Sequence, residues 1–192
     1  MKQVVLIGDS IRQGYLPFVA KLLEGKADVW GAEMNGGHSV NVLLHLHEWV
    51  CDRPVDLLHL NAGLHDLKCI PYGSREMLIP PSQYAANVER LCRLARNWRV
   101  GRIIWAATTP VIDDHANTTH AQSHDFSRYN EHVIELNAIA KRVTADLGVA
   151  FNDLYAVVDQ AGSATVQCGD GVHYKPEGYE LLAHAVVKAI GL

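Results

Sequence analysis

The sequence predicts an α/β protein. It reads as a three-layer α/β/α sandwich in which helices cover both faces of a parallel five-stranded sheet. Three observations point there. Short apolar runs alternate with longer segments of helical period from one end of the chain to the other. The runs are apolar throughout instead of alternating, as strands buried on both faces are. Polar residues able to do chemistry cluster just after the runs, where ligands sit in such sheets.

Val4-Val5-Leu6-Ile7 is the first strand and stops at Gly8. A helix is predicted from about Gln13 to Glu24, with Leu16, Val19, Ala20, Leu22 and Leu23 along one side. Ala27 to Trp30 is a second strand, and Gly36-Gly37 marks a loop. Ser39 is placed to cap a helix over Val40 to Cys51, whose core stripe is Val42, Leu43, Leu46 and Trp49. Asp56 to Leu60 is a third strand, followed by an irregular stretch from Lys68 to Ser82 with Pro71, Gly73, Pro80 and Pro81. Ser82 is then expected to cap a helix reaching Arg99. Arg102 to Ala106 is a fourth strand, and Thr108 to Asp125 is polar without apolar period. A helix from Ser127 to Leu147 ends near Gly148, and Val149 to Asn152 is a fifth strand. The last helix carries Pro176 in its first turn and runs to Ile190. Right-handed crossovers between parallel strands turn this order into the three-layer sandwich.

The 192 residues suit one domain over 1–192, and no repeat or linker divides them. Lys and Arg number 17 against 21 Asp and Glu, a net charge of −4 that gives no reason to bind nucleic acid or an anionic membrane. Cys51, Cys69, Cys92 and Cys168 are scattered without a C-x-x-C pair, so neither a zinc ribbon nor a disulfide scaffold is expected. No apolar run approaches the ~20 residues of a membrane helix. Met1-Lys2-Gln3 leads straight into a strand, without a signal-peptide pattern. A cytoplasmic location is expected on that basis, with removal of an export signal as the alternative.

The strand ends hold Gly8-Asp9-Ser10, then Asn35-Gly36-Gly37-His38-Ser39, then Asn61-Ala62-Gly63-Leu64-His65-Asp66, then Thr108-Thr109-Pro110. Asp170-Gly171-Val172-His173 precedes the last helix. A nucleophile, a base, a group that orients the base and oxyanion donors are what acyl transfer needs. Ser10 sits where a strand turns into a helix, so its N–H faces outward at the positive end of the helix dipole. Its hydroxyl is a weak nucleophile until a base takes the proton, and His173 can be that base. Asp170, three residues earlier on one turn, can hold the imidazole. Taken alone, Ser10 reads as a helix cap and Asp170/His173 as a surface turn. Their joint occurrence at the two ends of the chain, in this order, is what carries the reading.

Gly8-Asp9-Ser10 near the start and Asp170-x-x-His173 near the end resemble the SGNH (GDSL-type) hydrolases, and the resemblance spans nearly the whole chain. It implies a flavodoxin-like sheet, Ser10 as nucleophile, and Asp170 and His173 as its partners. Gly171-Val172-His173-Tyr174-Lys175-Pro176 resembles the family's lead into its closing helix. It further implies an oxyanion hole built from the N–H of Ser10, that of Gly37 (Gly36 if the match slips by one) and a third donor. The family pattern Gly-x-Asn-Asp reads here Gly63-Leu64-His65-Asp66, so His65 stands in the asparagine's place. A neutral imidazole donates one N–H, which keeps the role open to His65, with Asn61 as a second candidate.

The resemblance therefore implies a serine esterase with no cofactor, and the Asn, Thr, His and Asp of the Thr108 to Asp125 loop suit small acyl groups, with O-acetyl groups on carbohydrate as the candidate substrate. A decayed glycan-binding module, a lysophospholipase or a thioesterase are the alternatives. A metal phosphoesterase using Asp9 ranks lower, since the eleven histidines form no H-E-x-x-H motif. His45 and His47 lie two apart on a helix, and His115, His120 and His124 are irregularly spaced. His59 reads as a satisfied core histidine. Asp9 and Asp66 are expected to bond their own turns. A nucleotide binder ranks last for want of a G-x-G-x-x-G or P-loop. The two long loops are expected to wall the substrate. Tyr72, Arg75 and Tyr174 are lesser contact candidates.

Overall fold

A computed structural model of the chain describes residues 1–51 and 53–192, with the side chains of Thr119 and His120 outside the description. Five strands make one sheet: β1 (Lys2–Ile7), β2 (Ala27–Gly31), β3 (Leu57–Leu60), β4 (Arg102–Ala106) and β5 (Ala150–Asn152). Their order is β2-β1-β3-β4-β5, and every neighbouring pair is parallel. This is the flavodoxin-like order, in which the chain moves outward from β1 to β2 and then crosses back to β3. Val4 to Ile7 and Leu58 to Leu60 are wholly buried, which is why those runs show no polar alternation.

The reversal at β1 sends the crossovers to opposite faces. On one face α1 (Ser10–Leu22) packs against α9 (Pro176–Ile190), which also meets α7 (Leu154–Ala161). Gly14 permits the close approach of α1 and α9, since a side chain there would overlap the Tyr179 ring. On the other face α2 (Ser39–Val50) packs on α3 (Pro81–Asn97), and α3 on α6 (Asn130–Asp146). Val88, Leu91 and Ala95 form the buried stripe of α3. Each Val or Leu so buried contributes roughly 1.5–3 kcal/mol of transfer free energy.

Several element ends differ from the sequence-based expectation. α1 begins at Ser10, three residues early, because the Asp9 carboxylate accepts from Ile11 N–H and starts the helix. The cap of α2 is His38, whose Nδ1 accepts from Asn41 N–H, because the Ser39 hydroxyl is held by Asp66. α3 begins at Pro81 after Pro80, without a side-chain cap. The polar stretch after β4 contains two short helices, α4 (Asp113–Ala116) and α5 (Thr119–Ser123), which bury Ala116 and Ala121. α7 and α8 (Ser163–Val166) fill the segment after β5 that the sequence reading left unassigned. Among the described residues no helix is long and apolar enough to cross a membrane.

The long loops after β3 and β4 are stitched together. Cys69 and Ser127 exchange both backbone hydrogen bonds, and Tyr72 N–H donates to the Asp125 carboxylate. His59 in β3 accepts at Nε2 from the Asn152 amide at 3.1 Å, while its Nδ1 has no partner among the described residues. It is thus half-satisfied, and burial pushes its pKa down to about 3.

Candidate active site

The site lies beyond the carboxyl ends of β1 and β3, at the point where the strand order reverses. Gly8 and Asp9 carry the chain from β1 into α1. The Gly8 carbonyl accepts from Gly36 N–H at 2.9 Å and from the Arg12 guanidinium at 3.3 Å. Arg12 also donates to the Met34 carbonyl at 3.1 Å. A buried arginine therefore clamps the Ser10 turn to the loop after β2. The Asp9 carboxylate is buried, which raises its pKa, and serves its own turn as expected.

Ser10 Oγ lies 2.9 Å from His173 Nε2, a contact across 163 residues of sequence. His173 Nδ1 lies 2.6 Å from Asp170 Oδ2. A carboxylate accepts there, so Nδ1 carries the proton and Nε2 is left to accept from the serine hydroxyl. The other Asp170 oxygen accepts from the N–H groups of Val172 and His173, at 3.0 and 2.9 Å. Burial alone would raise the Asp170 carboxyl, but hydrogen bonds from the His173 ring and these N–H groups outweigh it and hold the pKa below the ordinary value.

The Asp170–His173 turn needs Gly171, at φ 66 with a Cβ position only 2.6 Å from His115 Cβ. The Gly171 carbonyl accepts from Ile112 N–H, which ties the turn to the segment after β4.

The remaining site candidates are placed as follows. His65 and Asn35 line the same cavity as Ser10, Asp170 and His173, with a volume of about 330 Å³. Burial first, and then the positive charges of Lys68 and Arg128, push the His65 pKa down to about 3, so the ring is neutral and has one N–H to donate. Gly37 N–H is engaged: it donates to Asn35 Oδ1 at 2.9 Å, while Gly36 N–H goes to Gly8. Asn61, the second candidate for the third donor, turns away, its amide donating to the Ala106 carbonyl at 2.9 Å.

Asp66 does not serve its own loop alone. Both its oxygens accept from Ser39 N–H, at 3.0 and 2.9 Å, and Oδ1 also accepts from the Ser39 hydroxyl. Burial pushes its pKa up to about 6.

The two long loops contribute Lys68 and Thr118 to the cavity lining, and Phe126 and Arg128, which follow the second loop in sequence, line it too. Composition had singled out none of these four. Tyr72, Arg75 and Tyr174 do not line it. Tyr72 donates to the Asn117 carbonyl, Arg75 pairs with Glu131 at 2.6 Å, and Tyr174 is buried against Gln167. Among the described residues no three His, Cys, Asp or Glu side chains converge as a metal-ligand set. His45 bonds Glu48, and the His120 side chain lies outside the described residues.

The chain matches the family described as GDSL-like Lipase/Acylhydrolase over residues 4–186. No curated protein matches it significantly. Solved structures share the fold at low identity. A lipase/acylhydrolase from Enterococcus faecalis is 20% identical with a TM-score of 0.76, over 99% of this chain and 95% of that one. A variant of an acetyl xylan esterase from Geobacillus stearothermophilus is 18% identical with a TM-score of 0.78, over 99% and 94%. A GDSL-like lipase from Bacteroides thetaiotaomicron is 22% identical with a TM-score of 0.75, over 98% and 87%.

Proposed function

The chain belongs to the GDSL-like lipase/acylhydrolase family and is a serine hydrolase, and on that premise we propose that it cleaves small acyl esters, acetyl esters of carbohydrate first among them, through Ser10, His173 and Asp170. The observation that carries this reading is the chain of contacts from Ser10 Oγ to His173 Nε2 at 2.9 Å and from His173 Nδ1 to Asp170 Oδ2 at 2.6 Å.

Ser10 Oγ attacks the ester carbonyl carbon while His173 Nε2 takes its proton. Asp170 keeps the imidazole in the tautomer that can accept and stabilises the imidazolium that forms. The carbonyl oxygen becomes an oxyanion beside the Ser10 N–H, one of the first-turn donors that α1 itself leaves unpaired. The neutral His65 N–H is the second donor. Gly37 contributes indirectly in this arrangement: its N–H fixes Asn35 Oδ1, which leaves the Asn35 amide N–H₂ as the polar group offered to the cavity. The tetrahedral adduct collapses, and His173 gives its proton to the leaving alcohol. Water then attacks the acyl-enzyme, with His173 as base, and releases the acid and the serine.

The acetyl preference rests on a cavity of about 330 Å³ to which Asn35, His65, Lys68, Thr118 and Arg128 bring polar groups, and on the acetyl xylan esterase among the structures of the same fold. The test is turnover of p-nitrophenyl esters of rising chain length and of acetylated sugars, by the native enzyme and by Ser10→Ala. Acetyl esters should be preferred, and Ser10→Ala should lose roughly 10⁶-fold in kcat with its fold intact. Undiminished turnover in that variant overturns the assignment.

A further inference from the structure

Two cations, Lys68 and Arg128, line the cavity beside Ser10, and among the described residues neither is in an ion pair. Arg128 is only 8% exposed. Its Nε donates to the Leu64 carbonyl at 3.1 Å, its backbone N–H to Asn117 Oδ1, and its own carbonyl accepts from the Asn117 amide. The side chain is therefore pinned, while its terminal Nη groups have no hydrogen-bond partner among the described residues. Lys68, half-buried, reaches the same cavity. Lys68 Nζ and Arg128 Cζ each lie 4.6 Å from the centre of the Phe126 ring, so one aromatic ring meets both charges.

Among the described residues neither cation has a carboxylate within ion-pair distance. Two carboxylates act on Arg128 from further off, Asp9 and Asp170. Asp9 is buried under the Ser10 turn and bonded to Ile11 N–H, and Asp170 is committed to His173. Burial pushes Lys68 down to about 8 and Arg128 to about 10, which leaves both protonated near neutral pH. Two desolvated like charges lining one cavity cost free energy that an anionic ligand would return.

We propose that the cavity beside Ser10 takes an ester that carries a carboxylate, with that carboxylate seated between Lys68 Nζ and the Arg128 guanidinium. This rests on the reading of Ser10 as nucleophile and narrows its substrate class to acidic esters. The carboxylate belongs either to the alcohol, as in an O-acetylated uronic acid, or to the acyl group, as in a succinyl half-ester. The chemistry at Ser10 is the same in both.

The experiment measures kcat/KM on two matched pairs. One pair is an acetylated methyl glucuronoside against the acetylated methyl glucoside, and the other is mono-p-nitrophenyl succinate against p-nitrophenyl butyrate. The charged member of one pair should be favoured by about tenfold or more, the usual worth of a charge-assisted hydrogen bond. Which pair shows the preference tells whether the carboxylate rides on the sugar or on the acyl group. The preference should shrink in about 0.5 M salt. Lys68→Gln should bring the ratio close to one, chiefly through KM. Equal rates on charged and neutral esters overturn the proposal. So does a Lys68→Gln loss that falls equally on both members, which would mean a cation serving the oxyanion.

If none of the four esters is turned over, it is the esterase reading that fails. Titration of glucuronate and of succinate onto Ser10→Ala by calorimetry then decides the anion site by itself. Binding of either that Lys68→Gln weakens supports it, and binding of neither overturns it.

Discussion

Ser39 and Asp66, 27 residues apart, tie the loop after β2 to the loop after β3 through three hydrogen bonds on a carboxylate with no solvent exposure. The Asn87 amide of α3 donates to the Ser39 hydroxyl at 2.8 Å and closes the cluster. The loops so joined carry Asn35 and His65 to one cavity, so this pair sets the spacing of the groups facing the proposed oxyanion.

Removal of the Ser39 hydroxyl should therefore cost stability. In Ser39→Ala the Asp66 carboxylate and the Asn87 amide each lose a partner in a site closed to water. Urea unfolding should report a loss of about 1–3 kcal/mol, the usual cost of stranding buried polar groups. A loss within error would mean that water enters and replaces the hydroxyl.

Asp66 also makes a signed contribution to pH-dependent stability. Burial, the main cause, pushes its pKa up to about 6, above the ordinary carboxylate value of 3.8. The folded state thus holds the proton more tightly than the unfolded state. The contribution is fully present below pH 3.8 and is lost as pH rises through about 6. Asp66→Asn removes this titration. Measured at intervals from pH 4 to 7.5, the stability of Asp66→Asn relative to the native protein should improve across that window and level off above it. A difference that stays constant would show that the hydrogen bonds from Ser39 balance burial, and one that runs the other way that they outweigh it.

The same pair explains where sequence reasoning stopped. The strands from β1 to β5 and the long helix α9 were legible, since unbroken apolar runs and a 3.6 period depend only on local sequence. The cap of α2 was not. Ser39 has the side chain that a cap rule selects, but Asp66 takes it from another loop, and His38 caps in its place. α7 was missed although Leu154 and Val158 have helical spacing, because eight residues give little periodicity to read. At the site, Ser10, Asp170 and His173 stood out by motif, and the structure places them in contact. Arg12 and Arg128 gave no signal: a buried arginine looks like any surface arginine until the fold surrounds it.

His65 is the position where this chain departs from the pattern it otherwise resembles, and we propose it as a donor to the oxyanion. Burial pushes its pKa down to about 3, so the ring is neutral near pH 7 and has one N–H that can donate as an amide would. His65→Ala should lower kcat on p-nitrophenyl acetate by about 10²–10³-fold with little change in KM, as loss of one oxyanion donor does. His65→Asn restores a donor of similar reach and should stay within about tenfold of the native enzyme. The loss in His65→Ala should be the same at pH 6 and pH 8.5. A loss confined to the acid side would mean that a charged imidazole acts. An unchanged kcat in His65→Ala would leave the oxyanion to the Ser10 N–H and the Asn35 amide.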